Sequence, residues 1–355
     1  MLRETDELND RPIMLKSMTV AREDWILSGT SLALILAMLL ALALVHSPSQ
    51  VFPAGFVNAR PYLLLLFLAY LAYLFPAFVR HKPAHPMHFL YAPGVGREAF
   101  FLTARHLPIV LAIALFMPAF SAVKSSIPLF NPYSWDQTFI DLDIAIHGTD
   151  PWQILQPLLG RPWITSLLSR IYHLWFLLIY LGPVLATFLV TDRRLRFRFF
   201  ASFLLTWSIV GVVLAIAFSS VGPCFVGPIE GNGHFDEQMH YLQAANEQHP
   251  VAVLEIQRLL LDWHNSGQHG LGRGITAMPS MHVALAFLYV LLTIKISKPL
   301  AWLSFAFFIL IMISSVHLAY HYAVDGYLSI LVTWLIWIST KPLARIVVGD
   351  SLGKK

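Results

Sequence analysis

Residues 302–340 read WLSFAFFILIMISSVHLAYHYAVDGYLSILVTWLIWIST. Two apolar runs of about twenty residues flank a short polar insert, and each is long enough to cross a bilayer as a helix. The insert, HLAYHYAVD, carries His317, His321 and Asp325. Ionisable groups at membrane depth are costly and tend to be functional. Both runs fit only if the chain reverses near 318–322, so the insert lies at one end of a helical hairpin.

The rest of the chain agrees with that reading. Of its 355 residues 57% are hydrophobic and only 12% charged, whereas soluble domains are about a quarter charged. Mean hydropathy is +0.65. Eight runs qualify as spans: 25–46, 62–79, 107–123, 166–190, 199–220, 280–297, 300–319 and 322–340. Backbone in lipid must bond to itself, so these are expected to be helices. The fold class is therefore an all-α polytopic membrane protein. The pI of about 9.1 is explained by basic residues flanking spans, and no nucleic-acid partner is expected. A mixed-charge tail of 24 residues precedes the first run. That is unlike a secretory signal, and the run is read as a retained span. The single cysteine, Cys224, rules out an intrachain disulfide.

Lysine and arginine orient the spans. With the N-terminus in the cytoplasm, all but six of the 24 basic residues fall on cytoplasmic segments, a positive-inside pattern. The six are Arg60, Lys124, Arg161, Arg170, Arg258 and Arg273. Both termini are then cytoplasmic. Two long outer loops remain. Residues 124–165 include NPYSWDQTFIDLDIAIHG and Trp135, Trp152 and Trp163, which suits a helix lying in the interface. Residues 221–279 include the amphipathic VAVLEIQRLLLDW. Both are expected to roof a site.

The topology puts AMPSMHVALAF (277–287) and HLAYHYAVDGY (317–327) at the same outer surface. Both following helices point their N-termini outward, where free N–H groups and the helix dipole favour an anion such as phosphate. His321 and Asp325 are four apart and share a helix face. A carboxylate on one ring nitrogen fixes the tautomer and makes the other a better nucleophile. His282 is placed to act as a general acid toward a leaving oxygen.

PSMH, followed by an apolar span and then by HYAVD about 40 residues later, resembles the type 2 phosphatidic acid phosphatase superfamily. Matched residue by residue, its motifs fall on Pro279, Ser280, His282, His321 and Asp325. The resemblance implies a metal-independent enzyme with no cofactor and a six-helix core formed by spans 3–8. It makes His321 the nucleophile that attacks phosphorus, Asp325 its orienting partner and His282 the leaving-group acid. The chain then divides into a tail (1–24), two additional spans with a cytoplasmic loop (25–99), the phosphatase-like domain (100–340) and a C-terminal tail (341–355). The basic motifs of the common phosphatase branch are missing. Ser314 and Ser315 stand at its Ser-Arg positions, and SSVGPCFVGP fills the place of its Lys/Arg-Pro segment. Lys124 matches that segment's lysine by spacing, but Asn131 stands where arginine should, and the match lies after the wrong span. It is set aside. The inositol phosphorylceramide synthase (aureobasidin-resistance) group of phosphotransferases also lacks those motifs. HYAVD and the acidic FIDLDIAIHGTDPW look like that branch.

The resemblance implies a phospholipid or other lipid phosphate as substrate, a lipid or polyol alcohol as a further acceptor, and the bilayer as partner. A lipid phosphate phosphatase is the alternative reading, and a non-enzymatic lipid transporter the alternative of another class. Ser280, Arg273 and His317 are secondary candidates for holding substrate. Arg273 offers guanidinium geometry six residues before Pro279, and His317 is equally suited to capping its helix end. A metal held by His317, His321, Asp325 and His282 would need one continuous helix through the reversal, and no metal is expected.

Overall fold

The computed structural model describes residues 20–46, 56–82, 85, 95–266 and 274–349. Arg273, the tail up to residue 19 and the last six residues lie outside the described residues. The described chain is helical, with no strand among those residues. The main helices are α1 (Arg22–Leu42), α2 (Phe56–His81), α3 (Leu107–Ser125), α4 (Asp136–His147), α5 (Pro162–Leu189, bent at Leu174), α6 (Arg193–Ser208), α7 (Asp236–Gln248), α8 (Val253–Asn265), α9 (Met281–Thr293), α10 (Lys298–His317) and α11 (Ala323–Val348).

Seven of these (α1, α2, α3, α5, α6, α10 and α11) are apolar and long enough to cross a membrane. The eighth expected span, 280–297, is shorter than its sequence run: α9 has 13 residues, or about 20 Å of helix. The reason is its position. Val283, Ala284, Leu285 and Leu288 are fully buried, so protein rather than lipid surrounds α9. Non-helical backbone is tolerated at membrane depth where protein or a cavity covers it. Apolar side chains face outward on the peripheral helices, with Leu36, Leu40, Trp302, Leu303 and Leu335 all exposed. That is the inverse of a water-soluble surface and marks a lipid-facing belt. The chain is an integral multi-pass membrane protein.

Polar contacts join the helices where lipid cannot satisfy them. Arg198 on α6 stacks 3.8 Å over the Trp337 ring and donates twice to the Trp337 carbonyl. Ser202 meets Thr340 at 2.8 Å. At the end of the bundle away from His321, Arg193 grips Glu23 through two bonds of 2.6 and 2.7 Å. Arg196 reaches both Glu23 and Asp24 at 3.6 and 3.5 Å. These carboxylates are almost wholly buried, so the additional helix α1 is tied to the core by a desolvated ion cluster. Breaking such a cluster from one side strands a charge. Glu23→Leu is expected to lower stability by roughly 3 kcal/mol. The Glu23→Leu/Arg196→Leu double variant should recover part of that loss, as read by thermal unfolding in detergent.

Candidate active site

The reversal expected near 318–322 is the centre of the site, and its backbone explains its shape. After α10 the chain closes a Schellman motif: the Tyr320 N–H donates to the Ser315 carbonyl and the Ala319 N–H to the Val316 carbonyl. Ala319, at φ +59°, occupies the left-handed position that usually takes glycine. The next residues start α11. Asp325 Oδ2 accepts from the Tyr322 N–H at 3.1 Å and from His321 Nδ1 at 3.0 Å. One carboxylate oxygen thus starts the helix and orients the imidazole. His321 and Asp325 are buried, at 6% and 0% exposure.

The acidic helix α4 lies against this turn. Asp143 accepts from the Ala323 and Val324 N–H groups at 2.8 and 3.0 Å, which satisfies the first free donors of α11 from another helix. Asp136 accepts from Val221 and Gly222 N–H and from the Tyr322 hydroxyl. The loop carrying Gly222 is pressed against the reversal. A Cβ on Gly222 would come within 2.8 Å of the Tyr320 carbonyl oxygen, and its φ is +90°. Sequence reasoning read α4 as an interfacial helix and missed these roles. Asp136 and Asp143 stand seven apart, on one helical stripe, and that spacing was the available signal. Trp152, expected at the headgroup level, is instead packed in the core at 5% exposure, while Trp163 is exposed.

Two glutamines of the roof finish the accounting on the other side of the turn. Gln238 on α7 donates to the Val316 and His317 carbonyls, and Gln257 on α8 to the Leu318 carbonyl. Cys224 N–H takes the Ala319 carbonyl at 2.8 Å.

A cavity of about 370 Å³ opens beside the turn, lined by His321, His282, Lys124 and His173 with a largely apolar and aromatic wall. Such a volume suits a small-molecule or headgroup site. His282 lies in the first turn of α9, which Ser280 caps by accepting from Val283 N–H. Its ring packs 4.0 Å from Trp175 and 4.4 Å from Tyr172, centroid to centroid, and 5.7 Å from His321. The stripe Ile256, Leu259, Leu260 and Trp263 of α8 closes over the cavity, as expected from its amphipathic spacing. Below it α6 continues as a π-helical turn, Ile209–Leu214, with Gly211 on the cavity wall. Such turns recur at functional sites.

The structure thus brings His282, His321 and Asp325 together. Ser280 is fully buried and serves as a helix cap. His317 is not on the cavity wall; its Nε2 lies 2.9 Å from Thr165 Oγ1, and Thr165 in turn meets the Tyr241 hydroxyl. Lys124, set aside on sequence grounds, is on the wall.

Burial pushes the His321 imidazole down to about 3, with the Lys124 charge adding to the shift and the Ala277 backbone opposing it. With Nδ1–H held by Asp325, the neutral ring carries its lone pair on Nε2, the nitrogen suited to base or nucleophile work.

The fold and the site together define a polytopic membrane protein with a paired-histidine, carboxylate-oriented centre at one end of its bundle. The family model of the PAP2 superfamily matches residues 137–339, more than half of the chain, and the chain belongs to that superfamily. Its members are phosphatases and phosphotransferases acting on phosphate esters. No curated protein and no solved structure matches the chain.

Two outcomes follow from the geometry. Asp143→Ala leaves two buried N–H groups without partners, at about 1–3 kcal/mol each. It should lower the thermal midpoint and cut turnover of a phosphate ester at least tenfold, with Asp143→Asn milder in both assays. Because the His321 value lies below the ordinary 6.5, the ring stays neutral as the medium is acidified through that value. The acid limb of kcat/KM should therefore fall below pH 6.5 in a pH–rate profile.

Proposed function

We propose that this chain transfers the phosphorylated headgroup of a lipid to an alcohol through a phosphohistidine, in the manner of an inositol phosphorylceramide synthase. The site faces the outer side of the membrane, and both termini are cytoplasmic. The observation that carries this reading is the convergence of His321, held by Asp325, with His282 on one apolar-walled cavity inside a membrane bundle.

His321 Nε2 attacks phosphorus, forming an N–P bond as the P–O bond to the departing group breaks. His282 gives its proton to the departing alkoxide. The phosphate charge of the bound substrate favours the protonated form of His282 that this step needs. The acceptor hydroxyl then returns a proton to His282 as its oxygen displaces His321 from phosphorus, and the site is restored. The apolar stripe of α8 over the cavity favours an alcohol over water as acceptor, because exclusion of water suppresses hydrolysis of a reactive intermediate. Arg258 and Lys124 on one side, against Arg193, Arg194, Arg196 and Arg198 on the other, support the orientation by the positive-inside pattern.

Phosphate-labelled lipid incubated with candidate lipid and polyol acceptors tests the reading. Label is expected in a new lipid; release as free phosphate would make the chain a phosphatase instead. His321→Ala should lose at least about a thousandfold in rate, and His282→Ala about a hundredfold to ten-thousandfold. Vanadate should inhibit the wild type. A wild type that binds lipid phosphate yet neither transfers nor hydrolyses it, with His321→Ala weakening binding alone, would make the site a transporter's headgroup pocket.

A further inference from the structure

A phosphate held for in-line attack needs positive charge or N–H donors around its oxygens. The outward N-termini of α9 and α11 are the first candidates from the sequence. Four of the N–H groups there are already engaged: Asp143 holds Ala323 and Val324 N–H, Asp325 holds Tyr322 N–H, and Ser280 holds Val283 N–H. The loop after α6 and the end of α10 carry serines where basic residues would stand.

We infer that Lys124, in the last turn of α3, is the cation that binds the substrate phosphate in this cavity. The inference rests on the phosphate-ester reading of the site. Among the described residues on the cavity wall, Lys124 is the one lysine or arginine. No carboxylate among the described residues pairs with it. Its charge reaches both His282 and His321. An ammonium surrounded by apolar wall and lacking a counter-ion is costly, and an arriving anion removes that cost. Lysine serves phosphate well as a compact point charge.

The chain also takes trouble to place it. Gly274 approaches the end of α3 so closely that a Cβ would lie 2.7 Å from Ser125 Cα and 2.8 Å from the Lys124 carbonyl. At φ +99° Gly274 adopts a conformation open chiefly to glycine. This contact fastens the segment leading to Pro279 and His282 against the turn that bears Lys124. The lysine does not act through the sequence motif it resembles. Asn131, at the arginine position of that motif, donates to the Ile216 carbonyl and is spent on structure. The cation of this site is then on α3 rather than in the loop after α6, both of which line the cavity.

The test uses the purified full chain in detergent, with inorganic phosphate and vanadate as probes and a lipid phosphate as substrate. Lys124→Met keeps the stem and removes the charge. It should weaken phosphate binding and vanadate inhibition about ten- to hundredfold, the loss expected for a hydrogen bond to a charged group. KM should rise by a similar factor. Lys124→Arg should restore a good part of both, which a merely structural lysine would not show. Thermal unfolding of both variants checks that they fold. Wild-type phosphate affinity and KM in Lys124→Met, with His321→Ala inactive, would overturn the lysine assignment and leave the reaction standing. Phosphate binding lost in Lys124→Met, in a wild type that turns over no lipid phosphate, would uphold the assignment and remove the reaction.

Discussion

A chain that reverses direction inside an apolar bundle must find a partner for each backbone N–H and C=O it frees. The turn between α10 and α11 meets that demand almost entirely with protein. Its carbonyls take Gln238, Gln257 and the Cys224 N–H, and its N–H groups take Asp143 and Asp325. Unpaired groups there would each cost several kcal/mol. The partners come from five segments, α4, the loop of Cys224, α7, α8 and the start of α11 itself, so the turn gathers the loops around itself. The geometry of His321 is a by-product of that gathering. Asp325 orients the imidazole with the same oxygen that starts the helix.

The apolar wall sets the other half of the chemistry. His282 sits against Tyr172 and Trp175, and α8 lays its apolar stripe over the opening. In such a low-dielectric space charges act at full strength, which helps a paired dyad and penalises an unpaired ion. The short α9 belongs to the same design. Its first turn, with His282, stands at the cavity because the residues before it are irregular backbone covered by protein, which lipid alone would not permit.

Much of this was legible in the sequence. Hydropathy located the long helices because lipid imposes a length and a composition on anything that crosses it. The spacing of His321 and Asp325 foretold their bond, since four residues at a helix start bring side chains together. The amphipathic stripe of α8 foretold its place over the cavity. What escaped were contacts between distant segments. Lys124 was discounted because a motif read along the chain carries no information on which helix ends meet, and its partners lie 150 to 200 residues away. Asp136 and Asp143 share one stripe of an expected interfacial helix, but their spacing does not say which backbone N–H groups on other segments they cap. The expectation for His317 was split between cap and ligand, and its bond to Thr165 depends on where α5 packs. The length of α9 was overestimated because hydropathy cannot separate a helix buried in protein from one bathed in lipid.

The glutamines that tie α7 and α8 to the turn have a consequence for how the proposed lipid substrate would reach the cavity. Lifting those helices as a hinged cover would strip three carbonyls of their donors at once, and an upward opening would loosen the turn that holds the His321 imidazole. For the proposed lipid substrate, already dissolved in the bilayer, a sideways route between helices would leave those three bonds in place.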